Sequence, residues 1–249
     1  MLTKNAPRNW RDLQEVVATI LRECRFNVEV EKSIQTVRGS VVVDVHAEES
    51  VKGRPYVILC ECKHWKKRVP KAVVHGVRTV VADSGAHKGY IISTRGFQSG
   101  SFTAAELTNV ELVTWEEFQN AFEGTWLETF LTPEVTRRLE TLTDYTEPFY
   151  PDWMKGKSTT AFTKCDELRE RYFPLGYLTM ILSKYGRVFT TDGYPSLPLK
   201  DSLAKQIAPL QQLPTEVLEA VGYRDLFEAM VTSGEKAIVE FNAIRDGLT

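Results

Sequence analysis

The sequence predicts an α/β fold: a mixed β-sheet flanked by helices, followed by a mainly helical C-terminal region. Three observations carry this reading. Two apolar runs at residues 41–47 and 56–63 are separated by Lys52-Gly53-Arg54-Pro55, the pattern of a hairpin. A short, continuously apolar run follows at 89–93 and another strand read as buried at 110–114, each preceded by a helical segment, as helix-linked strands should be. Beyond residue 131, most segments read as helices.

Residues 10–24 form the first helix. Trp10, Leu13, Val17, Ile20, Leu21 and Cys24 repeat at helical spacing, and Asp12 and Glu15 lie in the early turns, where acids suit the helix dipole. Residues 26–31 alternate Phe, Val and Val against Asn, Glu and Glu, a half-exposed strand. Arg38-Gly39-Ser40 reads as a turn into the strand 41–47, and the strand 56–63 follows the loop. Pro70 suits the first turn of a helix running to about Asp83, with Val69, Val73, Val77, Val80 and Val81 as its apolar stripe and Ser84-Gly85 as its stop. After the strand 89–93 come the loop 94–100, a short helix at 102–107, the strand 110–114 and a helix over 115–131. In the last of these, Phe118, Phe122, Trp126 and Phe130 are spaced four apart.

The second half is predicted helical at 133–142, 163–172, 175–184, 199–207, 215–221 and 224–246. Residues 145–156, rich in proline and aromatics, read as a linker or packed loop, and 185–199 read as irregular. The expected organisation is a sheet-containing domain over 1–131 and a helical region over 132–249 whose role is not readable.

Among the 249 residues, 43% are hydrophobic and 26% charged, ordinary values for a globular protein with a sizeable core. No run reaches the length of a membrane-spanning helix, and the first residues lack an apolar signal-peptide core, so the expectation is a cytoplasmic protein with no membrane partner. The four cysteines, Cys24, Cys60, Cys62 and Cys165, form no disulfide framework, and Cys60 and Cys62, two apart in a strand, read as reduced core thiols. A zinc site built from Cys60, Cys62 and His64 lacks a second ligand pair at finger spacing. The net charge of −2 gives no global attraction to nucleic acid, so any such contact must come from local basic clusters.

Each hairpin strand carries an acid where a hydrophobe is expected. Val41, Val43 and Val45 should share one face of their strand, leaving Asp44 on the other; Val57, Leu59, Glu61 and Lys63 should share a face of the next. Pairing the two strands brings Asp44, Glu61 and Lys63 to one patch. Phosphodiester hydrolysis needs divalent cations to neutralise the phosphate oxygens and a deprotonated water for in-line attack. Asp44 and Glu61 supply carboxylates suited to magnesium, and the backbone carbonyl of Cys62 offers a third oxygen. Lys63 is placed to position or deprotonate the water, or to stabilise the transition state. The competing reading of Glu61 and Lys63 is an ion pair on a solvated strand. Against it stands the cost of burying three charges inside apolar strands without compensation.

At these residues the sequence resembles the PD-(D/E)XK nuclease superfamily, and within it the Mrr-type, restriction-endonuclease-like proteins, over about residues 10–126. VVVDV carries the motif aspartate, Asp44, and CECK carries Glu61 and Lys63. HKGYIISTRGFQSGSFTAAE resembles the family's G-x-I-I-S/T-x-x-G-F strand and loop, and NVELVTWEEF its closing strand and helix. The resemblance implies the restriction-endonuclease-like αβββαβ sandwich and magnesium-dependent cleavage of DNA, with manganese as a substitute. Two departures accompany it. The metal-assisting glutamate of the family's first helix falls on Gln14 by spacing from Phe26, with Glu15 beside it. The glutamine that many relatives carry after E-x-K has His75 as its nearest polar counterpart, which reads equally as a surface or packing histidine.

His64, Lys66, Lys67 and Arg68 leave the patch as the densest basic run, either holding phosphates beside the metals or forming a solvated loop. Trp65 within it either packs or stacks on a base. Arg95 lies in a glycine-flanked loop after a buried strand, a candidate phosphate or groove contact. The leading expectation is a metal-dependent endonuclease that cuts DNA in restriction or another defence against foreign DNA. The alternative is a catalytically weak or inactive nucleic-acid-binding or assembly module of a defence complex, with the C-terminal half as sensor or oligomerisation element. Cutting both strands calls for two sites, so a homodimer or a partner protein is expected.

Overall fold

The computed structural model describes residues 1–186 and 193–247. It forms two compact units, one of residues 5–129 and one of residues 1–4 with 130–249.

The first unit opens with α1 (Trp10–Glu23), capped by Asn9, whose side chain accepts the Asp12 N–H. Leu13, Gln14, Val17, Ala18 and Leu21 are its buried face, while Trp10, predicted at the head of the apolar stripe, is 45% exposed. Five strands follow in the spatial order of their sequence: β1 (Asn27–Thr36), β2 (Gly39–Val51), β3 (Arg54–Lys63), β4 (Lys88–Ser93) and β5 (Val110–Thr114). The first three pair antiparallel and the last three parallel, so the sheet is mixed, as predicted. β1 and β2 are longer than the predicted strands. Their polar outer residues are compatible with a ladder, and only the backbone register reveals the extension.

Gly89 and Tyr90 are successive strand residues and therefore face opposite sides of the sheet. Helix α2 (Lys71–Ser84) covers Gly89: a Cβ there would stand 2.8 Å from Val81 Cγ2, so only glycine lets this helix approach. Helix α4 (Trp115–Trp126), held by a capping box at Thr114 and Glu117, covers Tyr90, whose ring meets Phe118 and Phe122 edge-on at 5.9 and 5.8 Å. Alongside α4 lies α1: Trp126 Nε1 donates to Glu23 at 2.6 Å and Phe26 packs on Phe122. The short α3 (Ser99–Ala105) adds Ala104 to the α2-side core of Leu59, Val74, Val81, Ile91 and Phe97. The result is the predicted restriction-endonuclease-like sandwich, a sheet between helices.

A π-helical turn (Leu127–Leu131) precedes the rest of the chain. In the second unit, α5 (Thr132–Thr146), α6 (Thr159–Leu182) and α9 (Tyr223–Arg245) pack together, with Phe241 between Tyr145 and Tyr172. A Cβ at Gly176 would collide with Thr146, so α5 and α6 are in backbone-close contact there. Two helices were predicted at 163–172 and 175–184. They are one helix, because burial of Leu175, Leu178, Ile181 and Leu182 outweighs the hydrogen bond lost at Pro174, a loss of about 3 kcal/mol in an isolated helix. The predicted helix 199–207 is a 3-10 turn (Leu199–Asp201) and the short α7 (Leu203–Gln206), and α8 is brief (Thr215–Leu218). Of the stretch 185–199, read as irregular, residues 187–192 lie outside the described residues. The first residues cap α9: Leu2, fully buried, accepts the Arg224 N–H at 2.8 Å, and Thr3 Oγ1 donates to Asp225 at 3.1 Å. No helix among the described residues is long and apolar enough to cross a membrane.

Candidate active site

The site is built where the sheet forks. The β1–β2 ladder pairs Val30 with Val45 and Lys32 with Val43 but passes over Glu31 and Asp44, and Glu31 adopts φ 51°, a left-handed conformation. On the other side, β2 joins β3 only from Val45, opposite Cys60. Asp44 thus stands at the point where β2 leaves β3. Strict alternation predicted Val43 and Val45 on one face. Instead Val45 pairs with Cys60, while Val43 packs into the α2-side core with Leu59, so the alternation breaks at Asp44.

The Asp44 carboxylate takes over the bonding that the ladder gives up. Its Oδ2 accepts the Cys62 backbone N–H at 2.7 Å. Its Oδ1 accepts the side-chain amide of Gln14 at 2.7 Å, donated from α1. Gln14 is 2% exposed, so this contact is shielded from water. An extended residue points its N–H and C=O to the same side, so the carbonyl of Cys62 is also directed at the fork. By contrast, the carbonyl of the next residue, Lys63, turns to the β4 side and accepts the Thr94 N–H at 3.2 Å.

Glu61 and Lys63 share a face of β3 and form an ion pair, with side chains 28% and 15% exposed. Burial holds the Glu61 carboxyl above its ordinary range, and the nearby Asp44 charge pushes it the same way; Lys63 opposes both. Two acids therefore crowd a half-buried site that holds a single ammonium. Lys63 Nζ also lies 5.4 Å from the centre of the Trp65 ring, which is 43% exposed.

The remaining predicted residues divide. Gln14 is brought to Asp44; Glu15, its neighbour, is exposed and its carboxylate lies 3.9 Å from Arg22. His64 turns back to the Pro7 carbonyl at 3.1 Å, which anchors the start of the basic run. Lys66, Lys67 and Arg68 are exposed. Arg95 is exposed at the same end of the sheet, because its loop is stitched to Val69: Val69 N–H donates to Gly96 and Gln98 N–H donates to Val69, both at 3.0 Å. His75 is not brought to the pair. It lines a separate concavity with Arg38, Arg78 and Asp83. Instead, α2 presents Val73, Gly76, Val77 and Val80 toward Glu61 and Lys63. Cys60 and Cys62 are buried thiols raised by desolvation. Among the described residues, no three His, Cys, Asp or Glu side chains are grouped to hold a metal ion.

Two serines escaped the sequence reading. Ser93, fully buried at the end of β4, donates to the Gly96 carbonyl and accepts the Arg95 N–H, both at 3.1 Å, and so shapes the loop that carries Arg95. Ser101, also buried, donates to the Val69 carbonyl at 2.8 Å. The one available signal was a polar residue ending an otherwise apolar strand.

Residues 7–122 match the family described as Restriction endonuclease (Mrr_cat). No curated protein matches the chain. Among solved structures, one described as "Crystal Structure of Protein of Unknown Function AF1548" aligns at 13% identity over 96% of this chain and 100% of that one, with a TM-score of 0.39.

Proposed function

We propose that this protein, whose residues 7–122 match a restriction endonuclease family, is a metal-dependent endonuclease hydrolysing DNA phosphodiester bonds, in restriction or another defence against foreign DNA. The observation that carries the reading is the fork: Asp44, held by the Cys62 N–H, and Glu61 crowd one site beside Lys63.

The donor set fits a hard divalent cation. It offers two carboxylates and a backbone carbonyl, all oxygen, in the number that magnesium takes from proteins while keeping water and substrate phosphate as its other partners. Bound there, the ion would neutralise charge on the scissile phosphate and acidify a water. The chain's own residues do the rest. Gln14 and the Cys62 N–H fix the Asp44 carboxylate, leaving its remaining lone pairs for the ion. Glu61, paired with Lys63 in the structure, would be shared with the ion, and the Lys63 ammonium would be placed to meet the phosphate or the attacking water. Lys66, Lys67, Arg68 and Arg95, exposed at one end of the sheet, would hold neighbouring phosphates and keep the strand in register.

The test is incubation of plasmid, linear and single-stranded DNA, and RNA, with magnesium or manganese. Wild type should cut DNA, and Asp44→Asn and Lys63→Ala should not. Intact substrates in every combination would sink the proposal. One observation favours a second reading, a nucleic-acid-binding or assembly module with a weak or dormant site: an amide, Gln14, stands on Asp44 where the resemblance expects a carboxylate. Tight DNA binding without metal and without cleavage would select it. The 130–249 unit would then act as sensor or oligomerisation element, and a solution mass measurement would show whether a dimer forms.

A further inference from the structure

We propose that the cavity beside Glu61 and Lys63 is a nucleobase subsite, so that the strand is cut at an unpaired nucleotide. The inference rests on the reading of Glu61 and Lys63 as the groups that face a phosphodiester. The cavity measures about 370 Å3 and both residues line it. Val43 and Leu59 form its floor from the sheet, and Val73, Val77 and Val80 its wall from α2. Trp65 stands on the lining with 43% of its surface open. Among the described residues, Glu61 and Lys63 are the charged side chains that line it.

Gly76 is the telling residue. It lies mid-helix in α2, where glycine weakens the helix relative to alanine. No close packing requires it, because a Cβ built there meets no atom within 4 Å. At Gly89 a neighbouring methyl excludes any side chain; Gly76 lies exposed on the lining of the cavity, where a side chain would occupy open space. The ligand must therefore place an anionic group at the Glu61–Lys63 mouth and a flat, uncharged group among valines. A nucleotide has that form, and the exposed Lys66, Lys67 and Arg68 suit the phosphates that follow. Trp65 offers a face for stacking, which every base can use. The valine wall has no hydrogen-bonding side chains to read base edges, so the subsite accepts any base but only one outside the duplex stack.

The experiment uses the full chain with calcium, an oxygen-binding cation, in place of magnesium, and checks that the oligonucleotide stays intact, so that binding is read apart from cleavage. A single-stranded oligonucleotide carries 2-aminopurine at successive positions. Wild type should change its fluorescence at one position and bind it at least about tenfold more tightly than the matching duplex. Gly76→Leu, which adds an apolar side chain to the cavity lining and favours the helix, should lose about tenfold for the single strand, abolish the fluorescence change and leave duplex affinity unchanged. Trp65→Ala should abolish the fluorescence change. Equal affinity of wild type and Gly76→Leu for the single strand would overturn the subsite. So would an effect of Gly76→Leu on self-association alone, which would assign the valine wall to a second copy of the chain. Cleavage of fully paired DNA by Gly76→Leu at the wild-type rate would remove the subsite and leave the nuclease standing. A base signal without cleavage in any metal would remove the nuclease and keep the subsite.

Discussion

Replacing Gln14 with leucine removes the amide that donates to Asp44 Oδ1 while nearly conserving volume. A hydrogen bond to a charged acceptor contributes roughly 1.5–3 kcal/mol net. Gln14 is 2% exposed, so water has little room to replace the lost donor. Leucine recovers part of this through apolar burial, and the expected cost of Gln14→Leu is about 2 kcal/mol. Asp44→Asn sets the control. Its carbonyl oxygen keeps the Cys62 N–H, and its amide donates to Gln14 once the Gln14 amide turns over. It also removes the charge that raises Glu61. Asp44→Asn should therefore be neutral or slightly stabilising, and in its background Gln14→Leu should cost only the roughly 0.5–1.5 kcal/mol of a neutral bond. Urea unfolding of the four proteins, followed by tryptophan fluorescence, gives a coupling of about 1 kcal/mol. A Gln14→Leu cost below about 0.5 kcal/mol, or the same cost in both backgrounds, would refute the clamp.

Four further outcomes follow from the packing and the charges. Gly89→Ala forces a methyl to within 2.8 Å of Val81 and should lower stability by about 1–3 kcal/mol, whereas Gly76→Ala meets nothing and should raise it by up to about 1 kcal/mol; thermal unfolding of the pair tests the contrast. The Cys24 thiol is pushed up to about 12 by burial from an ordinary 9.0, and all four cysteines are buried, so none should react with Ellman's reagent at pH 8 before unfolding. The native state keeps the Cys24 proton that the unfolded chain releases, so this thiol lowers stability as pH rises above about 9 and has no effect below it, which unfolding midpoints at pH 8 and 10 would detect. Lys66→Ala with Lys67→Ala should reduce the salt slope of duplex DNA binding by about 0.9 for each phosphate contact removed; an unchanged slope would assign both lysines to a solvated loop.

The first unit was legible because its signals are local. Alternation, a four-residue loop, a glycine stop at Gly85 and aromatic residues four apart each mark an element without knowledge of its neighbours. The second unit hides at the positions where packing overrides those rules. Pro174 reads as a break between helices, yet the buried residues after it carry α6 through. The same difference separates the parts of the site. Asp44, Glu61 and Lys63 stand out as charges inside apolar strands, but their arrangement depends on an event with no residue signature: Glu31 takes a left-handed conformation and the ladder passes over its partner. Had alternation continued, Asp44 would have kept a backbone partner on each side and its carboxylate would have pointed away from the β3 amides. Because it stops, one oxygen replaces a ladder acceptor for Cys62 and the other reaches a helix thirty positions earlier in the chain. The acid is thus held by the bonds that β2 forfeits on leaving the sheet. The fork that opens the candidate site is also what lets a helix amide and a strand amide fix the Asp44 carboxylate.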